Sequence, residues 1–163
     1  WPPLRTATLR ALAGLQAMRA REGAALARDL ARRFGRLRAL LERLARRAAA
    51  VPAASRLRLA RRLKQAGLGG EIDPAVLARE LAIHADRSDV SEELTRLSSH
   101  LGQAERLMAG KAPAGRALDF LCQEIMREIN TIAAKSGDAA ITRLAVAFKT
   151  QLEAAREQIQ NVE

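Results

Sequence analysis

Leu30, Phe34, Leu37, Leu41 and Leu44 step by four, three, four and three residues. That alternation keeps an apolar stripe on one side of an α-helix for about four turns, as in the seam of a coiled coil. A strand cannot use it, because a strand returns to the same face every second residue. The surrounding composition agrees. Ala, Leu, Arg and Glu are strong helix formers, whereas one Trp, three Phe and no Tyr supply little for a sandwich or barrel. The chain reads as all-α.

Helix boundaries follow from local chemistry. The seam helix extends from Leu4 to about Ala50 and is expected to end at Val51-Pro52, because proline disfavours helix at the residue before it. A second basic helix, with Leu57, Leu59 and Leu63 as its apolar residues, is expected from Arg56 to about Ala66, broken by Gly67-Leu68-Gly69-Gly70. Asp73-Pro74 reads as an N-cap followed by a first-turn proline, with that helix running to Ala85 or Asp86. The segment "RSDVSEEL" restarts the chain, with Ser88 or Asp89 as cap and Glu92 placed for a capping box with Asp89. That helix reaches about Met108, and Gly110, Pro113 and Gly115 make a loop. A helix from Leu118 stops at "KSGD", where Gly137 suits a C-cap and Asp138 the next N-cap. A last helix runs to the end. The expectation is about six helices, two of them long: a long helical hairpin plus a compact helical bundle. Residues 1–70 form a basic long-helix or hairpin region, and residues 71–163 a motif-bearing region continuing into a long C-terminal helix.

Charge divides at the same place. Of 28 Arg and Lys residues, 17 lie in residues 1–70 against 3 acidic residues; residues 71–163 hold 11 basic against 15 acidic. The basic part suggests a polyanion partner, though an Arg-rich solvated face needs no function. Interleaved aromatics for stacking bases are missing, so RNA held there would be held mainly through its phosphates. The single cysteine, Cys122, excludes an internal disulfide or a Cys-cluster zinc site, and a reducing, cytoplasmic setting is expected. No apolar run approaches the roughly 20 residues of a membrane span, and no signal peptide is visible. A start at Trp1-Pro2-Pro3 without Met suggests the C-terminal piece of a longer protein.

Two helices carry the chemistry. Glu93, Arg96 and His100 share one face at spacings of three and four. On the helix from Leu118, the residues Leu118, Leu121, Cys122, Ile125, Ile129 and Ile132 form a core stripe, and Cys122 reads as an inert core residue. Glu124, Arg127, Glu128, Thr131 and Lys135 form a polar stripe, with Asp119 and Gln123 beside it. Carboxylates one turn apart can hold a hard divalent cation, Arg and Lys can orient a phosphate, and a histidine can move a proton near neutral pH. The RNA 2′-OH can itself be the nucleophile. The structural alternatives are a capping role for Asp89, Glu92 and Asp138, ordinary surface pairs for Glu93–Arg96 and Glu124–Arg127, and partly buried His84 and His100.

Four segments together resemble a known family: "ADRSDVSEELTRLSSHL" (Ala85 to Leu101), "GRALDFLCQEIMREINTIAAKSGD" (Gly115 to Asp138), the ending "EAAREQIQNVE" and the early "GLQAMRAREGAALARDL". They look like the C-terminal part of the YicC/YloC endoribonucleases, over essentially the whole chain. The resemblance implies a bacterial, cytoplasmic, metal-dependent endoribonuclease acting on single-stranded RNA, using Mn²⁺ or Mg²⁺, and assembling as a homo-hexamer with a preceding N-terminal domain. The polar motif positions it carries over are Asp86, Asp89, Glu92, Glu93, Arg96, His100, Asp119, Gln123, Glu124, Arg127, Glu128, Asn130, Thr131 and Lys135. From these the expected roles are Glu93, Glu124 and Glu128 as metal ligands or general bases and His100 as proton carrier. Arg96, Arg127, Lys135, Gln123 and Asn130 would contact RNA or its phosphates. The sequence departs from the family at Ala117, where a second basic residue is usual, at Met126, where Asn is usual, and at Ile129, Ala133 and Ala134. The alternative is a non-catalytic oligomeric RNA-binding or assembly module, with the polar stripe serving as an inter-subunit salt-bridge network.

Overall fold

The computed structural model describes residues 1–67, 73–110 and 112–160. Five helices account for nearly all of them: α1 (Pro2–Gln65), α2 (Pro74–Ser88), α3 (Ser91–Ala109), α4 (Gly115–Lys135) and α5 (Ala139–Ile159). The count is one below the expected six because α1 does not stop at Val51-Pro52; Pro52 lies inside it. An internal proline forfeits one hydrogen bond and crowds the preceding turn, at a cost of about 3 kcal/mol. Val51 is buried in the core, and that packing holds the helix through the break that local chemistry predicts. α1 ends two residues before Gly67, which adopts φ +75°; Leu68 to Gly70, the rest of the expected glycine break, lie outside the described residues, as do the last three residues of the chain.

Four of the helices close a bundle. α1 packs on α5 and α3, and α4 packs on α3 and α5. The core is continuous from Leu30, Phe34, Leu37, Leu41, Leu44 and Val51 of α1 to the apolar stripes of the other three helices, including Leu97, Ile125, Ile129 and Phe148. One core thus draws on both of the regions that charge separated. The seam of α1 and the core stripe of α4 are buried as read. Cys122 is 1% exposed, and burial pushes its thiol up to about 12.

Each packed pair also carries an ion pair across it. Arg38 donates to both carboxylate oxygens of Glu105, joining α1 to α3 at 2.8 Å. Arg47 donates to both oxygens of Asp138, joining α1 to the start of α5 at 2.7 and 3.1 Å. Arg156 meets Asp119 at 2.7 Å between α5 and α4, and Lys135 meets Glu93 at 2.6 Å between α4 and α3. These contacts pair early residues of one helix with late residues of the next, so neighbours run antiparallel.

The long hairpin is not formed among the described residues. α1 spans 64 residues, roughly 96 Å at 1.5 Å per residue. Its first part leaves the bundle alone: every residue from Trp1 to Ala25 is exposed, including Leu4, Leu9, Leu12, Leu15 and Met18. α5, with 21 residues, is too short to return along it. No described helix is long and apolar enough to cross a membrane.

Candidate functional site on the α3 and α4 faces

The two motif helices lie side by side. A short connection turns α3 back as α4, so the first turn of α3 meets the last turn of α4. The start of α3 is set by Asp89, whose Oδ1 accepts from the Ser91 amide at 2.9 Å and the Ser91 hydroxyl at 2.6 Å. These bonds hold its carboxyl below the usual range. The expected capping box does not form, because Glu92 turns outward and pairs with Arg96 one turn along. At the other end, Gly137 takes φ +56°, a left-handed conformation that glycine adopts without strain. Asp138 then caps α5, accepting from the Ala140 and Ile141 amides at 3.0 and 3.1 Å. With the Arg47 guanidinium beside it, the Asp138 carboxyl is drawn down to about 2.

Glu93 and Glu128 are the two buried carboxylates of this face, at 7% and 8% exposure. Glu93 sits in the first turn of α3 and Lys135 in the last turn of α4, each where the helix dipole favours its charge. Their 2.6 Å hydrogen bond is the main reason that the Lys135 ammonium titrates above its ordinary range. Arg96, three residues along α3, reaches Glu128 at 3.7 Å. In both pairs the cation is much more exposed than its carboxylate: 44% against 9% for Lys135 and Glu93, and 56% against 11% for Arg96 and Glu128. The result is a helix–helix seam with recessed acids and outward cations. A phosphate approaching it meets the cations first. Beside it, a cavity of about 370 Å³ is lined by Asp86, Asp89, Ser91 and Ser136, and the Ser136 hydroxyl is buried without a hydrogen-bond partner.

The other expected residues fall elsewhere. Glu124 bonds to Arg127 on its own helix at 2.6 Å. Gln123 donates to Asp119, which in turn holds Arg156 of α5, so Gln123 belongs to the α4/α5 side. Asn130 recurs seven residues after Gln123, on the same exposed side of α4. His100 is half-buried, with Nδ1 buried and unpartnered. No hydrogen bond or ion pair among the described residues joins Glu124 or His100 to the Glu93–Glu128 pairs. Nor does any group of three His, Cys, Asp or Glu converge as metal ligands among them. Two carboxylates, each already matched to a cation, do not by themselves make a three-ligand metal centre. Sequence reasoning missed the roles of Arg38, Arg47 and Arg156, whose partners lie 67, 91 and 37 residues away; nothing in the local pattern signals them.

An all-helical chain with recessed acids under outward cations between two helices presents positive charge to an approaching anion. Comparison with known proteins gives the family. Residues 44–163 match the family described as "Endoribonuclease YicC-like, C-terminal", and the chain belongs to it. It is 41% identical over 167 aligned residues to "Probable endoribonuclease YicC" of Clostridioides difficile (strain 630), covering 100% of this chain and 56% of that protein. It is 39% identical over 147 residues to the protein of the same description from Haemophilus influenzae, covering 90% of this chain and 50% of that protein. The chain therefore spans about half the length of the curated relatives it matches.

Proposed function

We propose that this chain is the C-terminal, site-bearing half of a cytoplasmic endoribonuclease that cleaves single-stranded RNA at the α3/α4 seam. The observation that carries this reading is the pair of buried carboxylates, Glu93 and Glu128, on facing helices, each beneath a more exposed cation. The naming of its relatives supports it. In this scheme a carboxylate takes the proton of a 2′-OH. The 2′-oxygen bonds to phosphorus as the bond to the 5′-oxygen breaks, and the leaving oxygen takes a proton from solvent. The products are a 2′,3′-cyclic phosphate and a 5′-OH end. Arg96 and Lys135 stabilise the charge that builds on the phosphate oxygens, and exposed Arg127 lies within one turn of Glu128. Dependence on Mn²⁺ or Mg²⁺ belongs to the proposal; Glu93 and Glu128 would supply carboxylate oxygens, with waters completing the shell as hard cations prefer. Assembly as a hexamer is likewise part of it.

The test incubates a labelled unstructured RNA with the chain, and with the full-length Haemophilus influenzae relative in parallel, in Mn²⁺ or Mg²⁺ and then in EDTA. Glu93→Gln with Glu128→Gln should lower internal cleavage at least about 100-fold, the lower end for a lost general base, with RNA affinity changed only slightly. Wild-type cleavage by the double variant would overturn the assignment. EDTA-insensitive cleavage would remove the metal alone.

A second reading rests on a specific observation: α3/α4 is one of four helix pairs, each bridged by an intrachain ion pair. Glu93 and Glu128 would then be clasps of a non-catalytic RNA-binding or assembly module. That reading predicts lower thermal stability in the double variant and no cleavage by any form of the protein.

A further inference from the structure

We propose that the groove between α1 and α5 is a second RNA surface, a track for the phosphate backbone of a single strand, on the side of the bundle opposite the α3/α4 site. The proposal rests on RNA being the substrate, as argued above. The opposition follows from the packing: α1 and α5 are one adjacent pair in the ring of four, α3 and α4 the other.

Two connected depressions, of about 750 and 490 Å³, share Arg43 and Ala147 and so form one groove. Arg36, Arg43, Arg46 and Arg47 of α1 and Arg143 of α5 line it, and no acidic residue does. Alanines at 50, 140 and 147 lie between the arginines, leaving room for a polymer backbone to approach. Arg47 is engaged by Asp138, and Arg46 lies 3.9 Å from Glu42. Arg36, Arg43 and Arg143 have no acidic partner among the described residues, and all three are exposed. Clustered like charges repel unless an anion joins them. Here three unmatched guanidiniums share one groove, while the ion pairs at the other helix contacts are matched within the chain.

The stripe continues beyond the bundle. Arg36, Arg43, Arg47, Arg58 and Arg61 are spaced by 7, 4, 11 and 3 residues, which returns them to within an arc of about 60° at 3.6 residues per turn. From first to last they span roughly 38 Å at 1.5 Å per residue, room for on the order of ten phosphates at about 3.4 Å each along one stacked strand. Arginine forks match phosphate oxygens. No aromatic side chain lines the groove, so it holds the backbone without stacking bases and reads no sequence. A second copy is the poorer occupant, because a two-fold contact would set arginine against arginine with no acid in the lining to compensate.

The test measures binding of the chain to a 30-nucleotide unstructured RNA by fluorescence anisotropy across a range of salt concentrations. The variant is Arg36→Gln with Arg43→Gln and Arg143→Gln, checked by circular dichroism and mass. The expected result is affinity lowered at least about 10-fold near 0.1 M salt, and a salt slope reduced by about 2, since each phosphate contact on a single strand contributes about 0.7. An unchanged slope overturns the track. An unchanged slope with a lower oligomer mass assigns the groove to contact between copies and also overturns it. The readout is independent of catalysis. A reduced slope in a protein that never cleaves RNA leaves the track standing while the enzyme reading falls. Cleavage with an unchanged slope does the reverse.

Discussion

The two sides of the bundle use the same residue types to opposite ends. Between α3 and α4, Lys135 and Arg96 each cover a recessed carboxylate. Between α1 and α5, Arg36, Arg43 and Arg143 stand beside one another with no acid among the lining residues. Both lie between antiparallel helices, and a count of charges would rank the second as simply more basic. The difference lies in what each charge has left to do. Arg32 and Arg33 are engaged by Asp29, Arg38 by Glu105 and Arg47 by Asp138. Four of the 17 basic residues among the first 70 are thus tied into the fold by these acids, and Arg36 and Arg43 are not among them. A matched side can do acid–base chemistry; an unmatched side can only hold an anion.

The sharpest way to break this comparison is to remove the packing beneath the matched side. Leu97 lies one residue past Arg96 and is fully buried. Leu97→Ala should cost about 3 kcal/mol, read as a lower denaturation midpoint. Lys135→Met combined with Glu93→Gln, which removes both charges of the bridging pair and leaves no buried carboxylate unmatched, should cost far less. If the two losses were equal, ion pairing and not apolar packing would be holding α3 on α4.

Asp138 comes next, as the acid that holds Arg47 on the arginine side. Asp138→Asn keeps an N-capping side chain but loses the Arg47 pair, whereas Asp138→Ala loses both and should be less stable than the Asn variant by about 1 kcal/mol. The sign with pH follows from the direction of the shift. The folded carboxyl is lowered to about 2, against roughly 3.9 unfolded, so the unfolded chain binds more protons between those values and stability rises with pH across them. The advantage of the native protein over Asp138→Asn should be complete above about pH 4 and vanish as pH falls through about 2. A difference unchanged down to pH 2 would mean that the ion pair contributes nothing.

How much of this was legible in the sequence depends on how far apart the cooperating residues are. The seam of α1 and the stripe of α4 were readable because helical period alone places them, and every residue of both is buried. The caps at Asp73 and Asp138 were readable because a cap acts within three residues; Asp73 Oδ1 accepts the Ala75 amide at 2.8 Å. Pro52 misled because its local penalty is real and is overridden by the burial of Val51. Glu92 misled because two partners were available to it, and Arg96 won. At the candidate site, Glu93, Arg96, Glu128 and Lys135 proved to be neighbours, while Gln123 and Asn130 face away from α3. Spacing along α4 separates those faces, but only a packed α3 shows which one forms the seam with it.

The smallest expected effect sharpens the comparison most. Arg43→Gln removes a charge that no acidic group among the described residues pairs with, from a side chain exposed at the groove shared by both depressions. Surface changes of this kind stay within about 0.5 kcal/mol, and relief of repulsion from Arg36 and Arg143 should make the sign neutral to favourable at low salt, fading as salt screens it. Arg47→Gln, four residues along the same stripe, should be destabilising instead, because it strips Asp138 of its partner. The check is a pair of urea titrations of each variant at low and high salt. Two arginines four residues apart on one helix face would behave alike if charge on this face were generic. A salt-dependent gain for Arg43→Gln beside a loss for Arg47→Gln would separate the arginine that builds the bundle from the one left over to bind.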